Sequence, residues 1–370
     1  VIDNNDNVYV GGRFSLTVQQ KAGQGISKTL TSKGGNDFYI SKYNNLGELV
    51  WLRQIGGTGS EIPSGVAFDT INNVLWLALN TTSPEIYTEN NDVVMTKTAP
   101  GANVDILLAS INPATGDFIV KENVGLTDNS ANANEIRTDI LGNVVMIGRF
   151  NTKIKFSAID SLSTGAGTND NFFVKFNKNG KYIRSKLFKG TGALLRGIDV
   201  AKNCYIISGY NKGKITFGTV DSIDNGGAEN DVFIIRTDTL LNLIPGTIRK
   251  IKGPGEDYTL SLVTANDGGY YVTGFFSSNY LVVDSTATIP VSKGNAGNKI
   301  NKGLEDFFCA KYDSTCTLKW FNHGGTANND RIYRTMENNN SIILSGSFGN
   351  GTLVFKNDSI KSFGAEDAFS

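Results

Sequence analysis

Short runs in which apolar and polar residues alternate, each closed by Gly, Asn or Asp, fill the chain from end to end. A period of two predicts half-buried strands, and no long stretch carries the period of an amphipathic helix. One type of run ends in Gly and an aromatic residue. It reads VYVGGRF (Val8–Phe14), VLWLALN (Val74–Asn80), VVMIGRF (Val144–Phe150), YIISGY (Tyr205–Tyr210), YYVTGFF (Tyr270–Phe276) and IILSGSF (Ile342–Phe348). Its glycines are Gly12, Gly148, Gly209, Gly274 and Gly346, with Ala78 aligned to them in the second copy. A second type of run begins with an acid, at Asp37, Asp105, Asp170, Asp231, Asp306 and Asp367. Two separate markers share one period of about 60–75 residues, which identifies an internal repeat.

Two further strands complete each unit. One follows the acid-led strand across a Gly- or Asn-containing turn, as in LVWLRQI and LKWFNHG; the other precedes the Gly strand, as in SGVAFD and TLSLVTA. Each repeat is therefore a four-stranded antiparallel meander. A lone meander cannot bury both faces, whereas radial stacking can, and ring closure also protects the sheet edges. The predicted fold is all-β, a single β-propeller domain over residues 1–370. Its repeats fall near 1–62, 63–131, 132–193, 194–256, 257–328 and 329–370. Six blades are expected, or seven if one lies outside this sequence. A linear β-solenoid is the competing architecture. Val1 does not start like a natural N-terminus and the last strand stops at Ser370. The sequence thus reads as a fragment of a longer chain, with a targeting segment removed.

The segments VYVGGRF and LTSKGGNDFYISKYNNLGELVWLRQIGG (Leu30–Gly57), and later VTGFF with DFFCAKYDSTCTLKWFNHGG (Asp306–Gly325), resemble the bacterial SBBP-type β-propeller repeat. The resemblance spans the chain and is faded in the second and fourth copies. It implies a propeller in a secreted or cell-surface protein, outer-membrane associated, of a Bacteroidetes-like Gram-negative bacterium. It brings no catalytic residues.

Composition narrows the function classes. Lys+Arg and Asp+Glu both number 35, so the formal net charge is zero. Nucleic-acid binding and polybasic membrane binding both need an excess of cations. No apolar run is long enough for a membrane-spanning helix. The three cysteines, Cys204, Cys309 and Cys316, do not form a disulfide framework. Cys309 and Cys316 flank a predicted hairpin turn, and burial as small apolar residues is the simpler reading than their pairing.

Catalytic chemistry is scarce. The one histidine, His323, aligns with Ile55 when FNHGG is set against RQIGG, which places it at a strand end and gives it a structural role. The recurring aspartates supply carboxylates for a glycosidase, but recurrence once per unit suits a scaffold device that caps turns or backbone N–H groups. No catalytic residue, metal site or cofactor is predicted. Calcium is the one ion whose ligands the sequence offers, at Asp3-Asn4-Asn5-Asp6-Asn7, where a polar turn is the simpler reading. Asn112-Pro113-Ala114-Thr115-Gly116 resembles a quinoprotein repeat turn but occurs once and lacks the following Trp.

Asp-Ser followed by an apolar residue or Thr occurs at Ser161, Ser222, Ser285 and Ser359. These tripeptides resemble the O-glycosylation acceptor of Bacteroidetes surface proteins; copying of the repeat itself is the competing explanation. The expected function is a non-catalytic surface scaffold that binds protein, or a glycan, within a larger surface or secretion assembly. A polysaccharide lyase or hydrolase using a central funnel, and a purely structural spacer of an adhesin, are the alternatives. The longest insertions, Ser83–Gly101 and Thr286–Gly303, are the expected partner surface because they exceed what the scaffold needs. Asp37, Lys42, Trp51 and Arg53 lie close together in the most complete copy.

Overall fold

The structure is a computed structural model, and it describes residues 1–21, 27–97, 104–124, 130–165, 169–190, 192–217, 221–284, 304–338, 341–355 and 358–370. Among the described residues there are strands and no helix, and every paired strand is antiparallel. The chain forms two compact units, Val1–Lys186 and Leu187–Ser370.

The first unit holds three main sheets. The first runs Val8–Phe14, Asp37–Tyr43, Leu49–Gly56, Glu85–Thr88, Val93–Thr96. The second runs Glu61–Asp69, Val74–Thr81, Asp105–Ile111, Phe118–Val124. The third begins Ala131–Thr138, Val144–Asn151, Asn169–Phe176, Tyr182–Lys189, and the unit boundary falls inside the fourth of these strands. The second unit repeats the order with Leu194–Ala201, Cys204–Asn211, Asp231–Asp238, Arg249–Lys252, and then with Asp257–Thr264, Tyr270–Phe276, Asp306–Tyr312, Leu318–Gly324. A last sheet holds Arg331–Asn338, Ser341–Gly349 and Glu366–Phe369. Four sheets thus carry the full meander in the order inner, Gly, acid-led, outer.

Both faces of the central strands are covered, which is why their alternation is filled in with apolar residues. Asp105–Ile111 and Tyr270–Phe276 are buried at every position. Neighbouring sheets pack face to face within each unit. In the first unit Tyr9 stacks on Phe68 with ring centroids 5.8 Å apart, and Asn80 exchanges two hydrogen bonds with the backbone of Ala133. In the second, Thr264 donates to Asp199 from both N–H and Oγ1, and Thr273 meets Thr335 at 2.7 Å.

A feature that the alternation does not reveal recurs in the inner strands. All five have a bulge at one place, opposite the end of the Gly strand, between Pro63/Gly65, Ala133/Glu135, Leu195/Gly197, Thr259/Ser261 and Ile332/Arg334. A second feature lies between the Gly strand and the acid-led strand. Short strands there, such as the hairpin Lys214–Phe217 with Asp221–Asp224, pair onto the outer strand of the preceding repeat in three copies, whereas Thr17–Lys21 with Ser27–Thr31, Lys153–Lys155 with Ser161–Ser163 and Thr352–Phe355 with Asp358–Lys361 form two-stranded sheets of their own. The pairs are Ile55↔Thr88, Phe188↔Phe217 and Ile251↔Val283.

Candidate functional site

The recurring residues serve the sheets themselves. A methyl group on Gly148, Gly209, Gly274 or Gly346 would stand 1.8–2.5 Å from an inner-strand carbonyl beside the bulge, that of Asn132, Leu194, Tyr258 or Arg331. On the other side an acid-led-strand aromatic covers each glycine: Phe172, Phe233, Phe308 and Phe369 are its register partners, as Tyr39 is for Gly12. The backbone comes this close only where Cβ is absent. Register also corrects the alignment of the second copy. Leu79 pairs with Pro63 before the bulge and with Leu107 across the sheet, so Leu79 and not Ala78 takes the glycine's place. The bulge shifts the strands by one residue, and the motif alone does not show it.

Asp37, Asp105, Asp170, Asp231 and Asp306 are buried at the start of their strands, and Asp367 is half-buried. Asp37 accepts hydrogen bonds from the Lys33 N–H and the Gln54 amide, Asp170 from Thr164, Asp231 from the Gly253 N–H, and Asp367 from the N–H groups of Phe363 and Gly364. The Gly-Gly that follows the outer strand gives these carboxylates room: a Cβ on Gly56 would lie 1.8 Å from Asp37, and one on Gly325 would lie 2.2 Å from Asp306. Burial pushes the Asp37 carboxyl above its ordinary range, and raises Asp105 and Asp231 to about 6. In each case the buried site penalises the charge more than its partners favour it.

His323 does not replace Ile55. It pairs with Phe308 as Gln54 pairs with Tyr39, so it occupies the position from which Gln54 reaches Asp37; Gly324 takes the place of Ile55. The shorter outer strand here, Leu318–Gly324 against Leu49–Gly56, moves the match by one residue. Its ring lies edge-on to Phe276. The three cysteines are buried and no disulfide joins them; Cys309 lies across from Thr273 and Asn322, while Cys316 sits in the turn with φ 64°. Cys204 accepts hydrogen bonds from Arg236, an arrangement that the sequence did not suggest.

The Asp3–Asn7 turn is closed by its own donors. Both Asp3 oxygens accept hydrogen bonds, from Asn5 N, Asn7 N, the Asn7 amide and Tyr9 Oη, which hold its carboxyl down at about 2 against the opposing effect of burial. Asp3→Ala strands these donors and is expected to cost about 1–3 kcal/mol, read as a lower urea midpoint; an unchanged midpoint refutes the assignment.

Ser161 and Ser359 are exposed and Ser222 is half-exposed, all on the second strand of an outer hairpin. Ser285 and the insertion Thr286–Gly303 lie outside the described residues, as do positions 98–101 of Ser83–Gly101.

Side chains that differ between copies meet elsewhere, in a cleft of the first unit. The insertion after Ser83 folds into the hairpin Glu85–Thr88/Val93–Thr96, and its turn brings Glu89, Asn90 and Asp92 beside the outer strand Leu49–Gly56. The turn 112–117 of the second sheet forms the facing wall, and Lys28 closes one end. Two adjoining hollows of about 400 and 490 Å³ share Lys28 and Arg53, within the size range of small-molecule sites. The Asn112–Gly116 turn holds this wall in place. Pro113 O accepts from Trp51 Nε1 at 3.1 Å and from Lys42 Nζ at 3.0 Å, and Thr115 O accepts from Arg53. Gly116, at φ 78°, lies where a Cβ would meet Arg53 and Trp51 at 2.9 and 3.1 Å. Lys28 and Arg53 each stand 3.5 Å from Glu89, and Arg53 stands 3.8 Å from Asp117. The register equivalents of Arg53 are Glu122, Arg249 and Asn322 in three other sheets; Arg249 likewise donates to a turn carbonyl, that of Cys316, so the arginine recurs once while Lys28, Glu89 and Asp117 follow no repeat marker.

Of the residues grouped by sequence, Lys42, Trp51 and Arg53 line or support this cleft, while Asp37 is buried behind the strand. Lys28, Glu89 and Asp117 carry no motif, and only the folded hairpin and turn bring them together. No family model matches the chain, and no curated protein is significantly similar to it.

Proposed function

We propose that the repeats close into a six-bladed β-propeller of the SBBP type, and that it is a non-catalytic binding scaffold exposed on a bacterial surface. One contrast carries this reading. The residues that recur in the repeats are absorbed by the scaffold, the glycines by strand approach and the aspartates by burial, whereas Lys28, Glu89 and Asp117, which follow no repeat marker, gather beside Arg53 in an open cleft. Function placed on irregular segments of a rigid frame is the usual economy of such folds. Four sheets with one strand order, packed face to face with neighbours within each unit, support radial stacking.

Electron micrographs of the isolated protein are expected to show a closed disc; a linear stack refutes the propeller. Incubated with a panel of polysaccharides, the protein is expected to release no new reducing or unsaturated ends, and steady release identifies an enzyme. For the Asp-Ser tripeptides, the protein made in a Bacteroidetes host is expected to exceed its sequence mass by whole glycans. Ser161→Ala, Ser222→Ala and Ser359→Ala should each remove one; bare hydroxyls at all three reject the modification.

A further inference from the structure

We infer that the cleft bounded by Lys28, Arg53, Glu89 and Asp117 binds a neutral, hydroxyl-rich glycan. The inference rests on the non-catalytic binding reading above and gives its site a ligand class.

The first argument is charge. The cleft holds two cations, Lys28 and Arg53, and three carboxylates, Glu89, Asp92 and Asp117. Both cations are already engaged. Lys28 donates to Leu52 O at 2.8 Å and pairs with Glu89; Arg53 donates to Leu52 O and Thr115 O and faces Glu89 and Asp117. A phosphate, sulfate or uronate would have to break these pairs and then sit beside three acids. A dense cationic ligand would meet Lys28 and Arg53.

The second argument is the strand edge. A peptide that joins a sheet needs free outward backbone groups. Here Leu52 O is taken by Lys28 and Arg53, and Gln54 N donates to Glu89 at 3.2 Å. Further along, Ile55 and Gly56 pair with Thr88 and Tyr87. Side chains blunt the edge, so strand addition is blocked.

What remains on offer is polar side chains at the rim, Asn90 able to donate and accept and Asp92 and Asp117 to accept, beside apolar residues deeper in the second hollow. Asn90, Asp92 and Asp117 are exposed at the rim, and Leu49, Val50 and Ala114 line the second hollow. A sugar hydroxyl donates and accepts in one group, and a sugar ring also presents an apolar C–H face. That combination uses both halves of the cleft without breaking an ion pair. The two joined hollows suit an extended chain of rings rather than a single one.

The test is titration calorimetry of the whole protein against short neutral oligosaccharides of the gluco, manno, galacto and xylo series, with uronate and sulfated oligosaccharides and basic and acidic peptides as comparators. Binding of a neutral oligosaccharide is expected to change little with added salt. Asn90→Ala with Asp117→Ala is expected to weaken it about tenfold or more, while Lys319→Ala, in the other unit, leaves it unchanged. The rim variant should keep its unfolding midpoint. Tight salt-sensitive binding of an anionic oligosaccharide, peptide binding lost in the rim variant, or neutral binding that ignores the rim variant would each overturn the inference. So would failure of the whole neutral panel. With a closed, non-hydrolytic disc, that failure removes the ligand class alone; release of sugar ends removes the scaffold reading itself.

Discussion

Asp257→Asn is expected to make the protein more stable at alkaline pH and to leave it nearly unchanged in acid. Asp257 opens the inner strand of the fifth sheet and is fully buried, with one oxygen accepting from Ser278 Oγ at 2.9 Å and the other without a hydrogen-bond partner. Burial, with Asp231 and Glu256 nearby, raises its carboxyl to about 8. The unfolded group titrates near 3.9, so the folded state holds the proton over the window from about 4 to 8. Below that window both states are protonated and the burial has no linkage cost. As pH rises through it, the unfolded chain releases the proton freely and the folded one cannot, so stability falls. An offset of about four pH units corresponds to several kcal/mol at its alkaline limit. Asn keeps an acceptor for Ser278 and carries no charge. Urea midpoints measured from acid to alkaline pH should therefore fall less steeply in the variant, and the two curves should converge in acid. A parallel offset at every pH would show that Asp257 acts by packing and not through its proton. Asp105 and Asp231, both near 6, add smaller slopes of the same sign over about pH 4–6.

Gly274→Ala should be the harshest single-methyl change among the recurring glycines. Its Cβ would lie 1.8 Å from Tyr258 O and 2.9 Å from the Phe308 ring. Neither atom is the free end of a flexible chain, so strand separation is the only relief. A cost of about 3 kcal/mol or more is expected. Gly246→Ala is the control. It has φ 77° and open space around the new methyl, so only the left-handed backbone penalty of about 1 kcal/mol applies. Equal losses in the two variants would mean that backbone conformation, and not strand approach, requires glycine at position 274.

Strand type and order were legible because the markers are chemical necessities. An aromatic lies across from a glycine only if the pair is kept together, and an Asp can be buried at a strand start only if a later residue leaves it room. The same logic shows why the second copy fades, since Leu79 and Leu107 replace glycine and aromatic together. Where motif and register disagree, they disagree by one residue. Ala78 and His323 were each displaced by one because a bulge or a shortened strand changes register without changing the motif. The outer hairpins were hidden because they lie off the main sheets, three of them bonded to the repeat before their own and three forming two-stranded sheets by themselves. The cleft was hidden for a stronger reason: its walls come from segments far apart in sequence, and although Arg53 stood in the motif, Lys28, Glu89 and Asp117 follow no pattern.

The inner-strand bulge also limits how such a chain can be rearranged. Thr259 and Ser261 are two residues apart and in a regular strand would share a face. Across the bulge, Thr259 Oγ1 meets Ser208 of the preceding sheet, while Ser261 Oγ accepts from Thr335 N of the following one. This inner strand is therefore written in two frames, one addressed to each neighbour, with Leu260 as the shift between them. Deleting that one residue would not slide the strand; it would redirect half of its side chains to the wrong neighbour. Recombination between copies is tolerated only if the crossover leaves the bulge and its glycine on the same piece.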